Sequence, residues 1–234
     1  MKPWKYFIIK QFEKRNIYIS RKNHPNDFLI RKRIESELIK QSQGVIHIGA
    51  HIGQEASFYN DLNKSVVWIE ASPETYKILT ENIVKYHNQR SILALLGDQD
   101  RDDVRFNLAD NSGASSSIYE IDSNSSVPFK LIDRISLPMK RLDTIIFPAE
   151  MNSLNHWVID VQGAELQVLK GSGELIKYCN SLIIETKKIS YYKSGTTWNE
   201  IMTFLDNHGF INLWEVEEDA EDNVFFVRVK NRVS

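Results

Sequence analysis

Four carboxylates, Glu70, Asp98, Asp160 and Glu185, close short apolar runs or lie just past them, at 66–70, 92–96, 156–160 and 181–185. An acid at the end of a buried strand can accept hydrogen bonds from ribose hydroxyls or take a proton from a reacting group. A fifth run, Val45-Ile46-His47-Ile48, ends instead on the turn Gly49-Ala50-His51-Ile52-Gly53, and Glu70 follows Gly49 by 21 residues. A glycine turn lets backbone approach a ligand, and an acid about 20 residues on suits the ribose of an adenosine-containing cofactor. Dinucleotides require G-x-G-x-x-G, and here His51 occupies the place of the second glycine. A side chain there argues against a pyrophosphate. S-adenosylmethionine fits better, with a ribose for Glu70 and a carboxylate for the helix start after the turn. One such acid is as readily a solvated strand end as a functional group. Four at one sheet edge are harder to dismiss.

These residues need a scaffold, and the pattern supplies one. Helical spacing over 28–42 leads into a strand at 45–49, a helix at 54–62 and a strand at 66–70. Ser72-Pro73-Glu74-Thr75 is a helix start, with a capping serine, proline at the first position and an acid against the dipole. Its helix runs through Tyr76, Leu79 and Ile83 to a third strand at 92–96. Strands alternating with helices give an α/β fold with a doubly wound, mostly parallel sheet. The alternation pauses over 97–156, an insert with an edge strand at 104–108, a Ser/Asn/Gly-rich stretch at 111–126 and a strand at 137–146. Such an insert is expected to be a lid or binding loop. Strands at 156–160 and 181–185 flank a helix carrying Leu166, Val168 and Leu169 and broken at Gly171-Ser172-Gly173. A helix from Thr197-Trp198 closes at Gly209. The last strands, 210–216 and 224–229, are joined by the acidic loop 217–222, too short for a parallel crossover, so they should pair antiparallel.

The 234 residues suffice for one α/β domain, here read as 44–234 behind a basic helical arm at 1–43. Net charge is −2, yet residues 1–40 carry eleven Lys/Arg against four acids. The arm is expected to pack its aromatic side on the core. Contact with an anionic membrane surface is the alternative, and nucleic-acid binding has only this leader in its favour. The single cysteine, Cys179, rules out an intramolecular disulfide, and no apolar run approaches the roughly 18 residues of a membrane span. Both point to a cytoplasmic protein.

Several segments together resemble one family. They are Ile46-His47-Ile48-Gly49-Ala50-His51-Ile52-Gly53-Gln54-Glu55, Trp68-Ile69-Glu70-Ala71-Ser72-Pro73, Gly113-Ala114-Ser115-Ser116-Ser117, Lys140-Arg141-Leu142-Asp143, Ile159-Asp160-Val161-Gln162-Gly163-Ala164-Glu165 with its continuation to Gly171, and Leu182-Ile183-Ile184-Glu185. In this order they resemble the FkbM-type S-adenosylmethionine-dependent methyltransferases. His47 stands where many members have an acid, and Gln162 replaces a glutamate of the motif around Asp160. The resemblance implies a seven-stranded Rossmann-like sheet of the class I methyltransferase type with an antiparallel C-terminal strand. It implies methyl transfer to a hydroxyl of a sugar, glycolipid or natural product, so that the partner is a small-molecule or glycan acceptor. It places the cofactor on Gly49, Ala50, His51, Gly53, Gln54, Glu55, Glu70, Ala71, Asp98, Ser115, Ser116 and Asp160. Asp160 is the first candidate for the base, with Glu185 and His51 behind it. Tyr191, Tyr192, Lys187, Lys188 and Lys193 are candidates for an acceptor wall, and Asp143 for a cap or a pair with Arg141. No metal-ligand spacing is recognisable. A nucleotide-sugar or dinucleotide oxidoreductase and a non-catalytic cofactor-binding module are the competing readings.

Overall fold

The computed structural model describes residues 27–123, 125–186, 191–213 and 222–229. The leader before residue 27, Lys187, Lys188 and the acidic loop up to 221 lie outside the described residues.

Seven strands form the main sheet: β1 (Gly44–Ile48), β2 (Ser65–Glu70), β3 (Gln89–Leu93), β7 (His156–Ile159), β8 (Ser181–Thr186), β9 (Phe210–Asn212) and β10 (Asp222–Arg228), in the order β3-β2-β1-β7-β8-β10-β9. All neighbours run parallel except β10, which is antiparallel to both β8 and β9. This is the strand order of class I methyltransferases. The chain leaves β1 toward β3 on one side and later resumes at β7 on the other. Such a reversal opens a crevice at the carboxyl ends of the strands.

The register decides what meets there. Ile69, Ile48, Ile159 and Ile184 are Cα partners across β2, β1, β7 and β8. The next residues, Glu70, Gly49, Asp160 and Glu185, therefore form one row along the sheet's carboxyl edge. The isoleucines just beneath are buried and fix that row from below.

Helices α2 (Ala56–Asp61) and α3 (Pro73–Ile83) connect the first strands. Ser72 caps α3 by accepting from the Thr75 amide at 3.4 Å. After β8, α6 (Trp198–Asn207) begins with a capping box in which the Thr197 hydroxyl accepts from the Glu200 amide and the Glu200 carboxylate from the Thr197 amide. Helix α1 (Asp27–Gln41) places Ile34 and Leu38 against Ile183 and Phe225, and Ile39 against Val45 and Trp68. Each such fully buried side chain contributes about 1.5–3 kcal/mol. Lys64 Nζ donates to the Lys40 and Ser42 carbonyls at 3.0 and 2.6 Å, which caps α1 and ties it to β2.

Two expectations are corrected. The third strand breaks at Ala94, whose amide donates to the Glu70 carbonyl at 2.9 Å, and Leu95–Leu96 becomes a separate strand β4 in a second sheet. Nor is the stretch from 97 to 156 irregular. Long antiparallel strands β5 (Arg101–Ala109) and β6 (Leu131–Lys140) join β4 in the order β4-β6-β5. The expected strand at 137–146 starts earlier and ends at Lys140, followed by the short helices α4 (Leu142–Ile145) and α5 (Pro148–Met151). Ile135, Leu137 and Met139 alternate with Ser136, Pro138 and Lys140 and pack with Phe106 in the second sheet, whereas Leu142 and Ile146, which extend the apolar run beyond Lys140, enter the main core. Among the described residues no helix is long and apolar enough to cross a membrane.

Candidate active site

The turn after β1 is shaped by what lies beside it. Gly49 has φ 79°, and its amide donates to the Ile69 carbonyl at 2.9 Å. A β-carbon at Gly49 would lie 1.6 Å from the Asp160 carbonyl oxygen, so only glycine fits between the two neighbouring strands. The Asp160 amide in turn donates to the Ile48 carbonyl at 2.9 Å. His51 also occupies the left-handed region, at φ 46°. Its Nδ1 meets the Gln54 amide nitrogen at 2.9 Å and its Nε2 meets the Ser112 carbonyl at 3.0 Å. The Gln54 –NH2 donates, so Nδ1 is the acceptor, Nε2 carries the hydrogen, and the ring ties the turn to the 110–117 loop.

Glu70 is buried beside this turn. Its two carboxylate oxygens accept from the His51 and Ser72 amides, each at 2.8 Å. Burial raises its pKa and the backbone hydrogen bonds pull it back down. The Ala71 amide also acts on this carboxylate, whose roughly four lone-pair sites leave room beside the three amides for a ligand hydroxyl.

The turn and Glu70 form one wall of a cleft of about 890 Å³, counted to its open mouth. Beyond Glu70 the lining turns apolar, with Ala71, Leu95, Phe106 and Ile118 forming a slot between the two sheets. His47 lies at its floor, stacked on Trp68 with ring centroids 4.8 Å apart, and its Nδ1 meets the Tyr59 hydroxyl at 3.1 Å. Burial lowers the His47 pKa, so the ring is neutral at pH 7.

Asp160 stands on the opposite wall, and Gln162 connects it to its neighbours. Gln162 Nε2 donates to Asp160 Oδ1 at 2.6 Å and to Glu185 Oε2 at 2.7 Å. The Tyr192 hydroxyl lies 2.8 Å from Gln162 Oε1 and 3.1 Å from the Ser115 carbonyl, with one hydrogen to donate between them. Ser117 Oγ donates to the Gln162 carbonyl at 2.6 Å, and the Thr196 amide and hydroxyl donate to the Gly163 carbonyl at 2.7 and 2.8 Å. Segments 119–122 and 191–193 also pair with each other through Ile121 and Tyr192, closing one side of the site. Buried Glu165, which accepts from the Gly163 amide at 2.9 Å, is pushed up to about 7 by burial and by the charge of Glu185.

Of the residues singled out from sequence, Gly49, Ala50, His51, Gln54, Glu55, Glu70, Ala71, Ser116 and Asp160 line this one cleft. Four do not. Gly53 faces Leu79 and Ile83, so its positive φ of 74° serves the packing of α3. Asp98 pairs with Arg101 at 3.3 Å, carried off the row by the break at Ala94. Ser115 is tied to Asn111 on the exposed side of its loop. Glu185 lies off the lining and accepts from Gln162, which is on it, at 2.7 Å. His51 lines the cleft, but with Nδ1 accepting from Gln54 and Nε2–H donating to Ser112 it is placed as a latch, not a base. Asp143 is held by Arg141 through contacts of 2.8 and 2.5 Å, the pairing alternative. Among the described residues no three His, Cys, Asp or Glu side chains gather as a metal site. Sequence reasoning missed Phe106 and Ile118, whose strand and loop give no local sign of facing a ligand, and missed the bridging role of Gln162.

The chain's likeness to solved structures is distant. The N-terminal domain of EvdMO1 with SAH bound matches at 11% identity and a TM-score of 0.47, over 97% of each chain. Fibrillarin from Aeropyrum pernix with S-adenosyl-L-methionine matches at 12% identity and 0.46, over 84% of this chain and 74% of that one. A caffeoyl-CoA O-methyltransferase, so described, from Staphylococcus aureus matches at 12% identity and 0.44, over 96% of this chain and 99% of that one. No curated protein sequence matches significantly. The fold assignment rests on the strand order and register above. The family assignment rests on the sequence profile of the methyltransferase FkbM domain, which matches residues 47–211 and so covers the turn, the whole strand-end row and the second sheet. The chain belongs to the FkbM family of S-adenosylmethionine-dependent methyltransferases.

Proposed function

We propose that this protein transfers a methyl group from S-adenosylmethionine to a hydroxyl of a small-molecule or glycan acceptor, with Asp160 taking the hydroxyl proton. The observation that carries this reading is the row Glu70, Gly49, Asp160 and Glu185 across four adjacent strands. It sets a ribose-type acid, a bare backbone approach and a carboxylate for proton transfer side by side.

The residues present fit the cofactor. Gly49 and Ala50 line the cleft beside Glu70, whose carboxylate keeps acceptor capacity for a ribose hydroxyl, and the slot at Ala71, Leu95, Phe106 and Ile118 suits a flat apolar base. When bound, the cofactor supplies a methyl carbon on a positively charged sulfur, an electrophile that needs only an aligned nucleophile. Glu55, on the same lining, adds negative charge that favours a cationic ligand. Asp160 faces the cleft from the end of β7, where a proton acceptor within hydrogen-bond reach of an alcohol assists as the oxygen attacks. Tyr192, hydrogen-bonded to Gln162 on the side closed by 119–122 and 191–193, is the first candidate for the acceptor wall.

The test is formation of S-adenosylhomocysteine from S-adenosylmethionine across a panel of hydroxylated acceptors. Asp160→Asn should lower turnover about 10²-fold or more while leaving S-adenosylhomocysteine affinity within a few-fold. Wild-type turnover in that variant would remove the assigned role. Tight NAD(P) binding with no response to either sulfur ligand would overturn the methyltransferase reading itself.

A further inference from the structure

The loop 110–117 that follows β5 bounds the cleft through Gly113, Ala114 and Ser116, and the turn after β1 bounds it through Gly49, Ala50 and His51. His51 joins these two distant segments by the 3.0 Å contact of its Nε2 with the Ser112 carbonyl. That carbonyl only accepts, so Nε2 carries the hydrogen. In the neutral ring Nδ1 then accepts, and the Gln54 –NH2 at 2.9 Å holds the ring in this orientation. Both ends of the bond sit on backbone in the left-handed region, His51 at φ 46° and Ser112 at φ 59°, and neither is a glycine. Such conformations persist where the surroundings impose them, and they gather at ligand clamps and switches.

Little else holds the loop. Among the described residues no side chain from 110 to 115 belongs to an apolar cluster, and Asp110, Asn111, Ser112 and Ala114 are exposed. Asn111 binds Ser115 within the loop, and the Tyr192 hydroxyl lies 3.1 Å from the Ser115 carbonyl. A segment with few buried apolar contacts and exposed hydrogen bonds opens at low cost. The His51–Ser112 bond is made between two parts of the protein and uses no ligand atom, so it weighs on entry and exit alike. We propose that His51 is a positioning residue for the cofactor: its ring clamps loop 110–117 to the turn after β1, and S-adenosylmethionine enters and S-adenosylhomocysteine leaves as that clamp breaks. The inference rests on the cofactor occupying this cleft, and not on Asp160 or the acceptor, so its test needs no turnover.

Two substitutions separate the hydrogen bond from the backbone. His51→Asn tolerates the left-handed conformation and keeps the amide that Glu70 accepts from, but its side chain is too short to reach Ser112. His51→Gln can carry an amide donor about as far out as Nε2. Binding and release of S-adenosylhomocysteine are followed by stopped flow. In His51→Asn the on-rate and off-rate should both rise about three- to tenfold, the weight of one hydrogen bond, with Kd within about threefold of wild type. His51→Gln should stay within about twofold of wild type in both rates, because the donor is restored. Unchanged rates in His51→Asn would overturn the proposal. Faster release with unchanged or slower entry would overturn it too, since that marks a lost ligand contact. A glutamine variant that matches the asparagine variant would also overturn it, because the ring's shape and not its hydrogen bond would then be the cause. Should His51→Asn fail to fold, His51→Gly, which also fits φ 46°, takes its place with the same expected rates. A wild-type protein that binds no S-adenosylhomocysteine overturns the cofactor reading and the clamp together, a result distinct from wild-type binding with unaltered variants.

Discussion

Replacing Gly49 by alanine tests the strand-end row at its tightest point. The new β-carbon would start 1.6 Å from the Asp160 carbonyl oxygen and 2.7 Å from its carbonyl carbon, both backbone atoms that cannot rotate away. Reaching even the shortest tolerable contact separates β1 and β7 at their ends by more than an ångström. The Gly49–Ile69 and Asp160–Ile48 hydrogen bonds, each 2.9 Å, lie directly in the path of that movement. Losing one buried backbone bond costs about 1–3 kcal/mol. Holding alanine at the native φ of 79° adds about 1–2 kcal/mol. The total, about 2–5 kcal/mol, corresponds to a fall in Tm of about 5–15 °C for a chain of this size. S-adenosylhomocysteine affinity should fall at least about tenfold, or 1.4 kcal/mol, because the backbone facing the ligand has moved. Gly53→Ala is the matched control. Its φ is also positive at 74°, but its β-carbon meets only the Leu79 methyl at 2.7 Å and the Ile83 methyl at 3.4 Å, side-chain ends that can yield. Differential scanning fluorimetry and calorimetry on both variants read the two effects. If Gly49→Ala keeps wild-type Tm and affinity, or if Gly53→Ala loses as much affinity, the row is not the cofactor's seat.

Glu70→Ala should weaken S-adenosylhomocysteine binding about 10–100-fold, the loss of a hydrogen-bonded charge, and lower Tm by orphaning the His51 and Ser72 amides; calorimetry showing unchanged affinity removes the ribose assignment. Glu165 has a folded pKa of about 7 against 4.5 for the free group, so the folded state holds its proton more tightly and the stabilisation, about 3 kcal/mol, is complete below pH 4.5 and lost as pH rises to 7. Glu165→Gln should therefore be more stable than wild type at pH 8 by urea titration, and equal or lower stability would contradict the buried charge. His156 acts in the opposite sense: burial lowers it to about 3 from 6.5, so the unfolded chain takes up the proton first and as much as about 5 kcal/mol is lost as pH falls from 6.5 toward 3. His156→Gln should flatten that acid limb in a Tm-against-pH series, and an unchanged slope would show that the ring is not held neutral.

The elements legible in the sequence were those whose signals are local. Gly49, Gly53 and the Ser72-Pro73 cap announce a turn and a helix start within a few residues, and buried strands such as β1 and β8 carry consecutive apolar residues, Val45-Ile46 and Leu182-Ile183-Ile184, because both faces are covered. The second sheet was less legible because the apolar residues of β6 run on into Leu142 and Ile146, which belong to the main core, and the break at Ala94 is marked by no glycine or proline. Asp98 shows the consequence: placed by sequence just past a strand, it leaves the row because the strand ends at Leu93, earlier than its apolar run.

By itself the sequence determined that strand-end acids and a glycine turn exist at the right spacing for an adenosine-type cofactor, and its motifs pointed to the family. Only the tertiary structure decided which acids stand together. Glu70, Gly49, Asp160 and Glu185 become neighbours through the register of four parallel strands that are far apart in the chain. The same register puts Gln162 between two carboxylates 25 residues apart. Periodicity along a chain carries no information about which strand lies beside which, and that adjacency is what turns separate acids into a site.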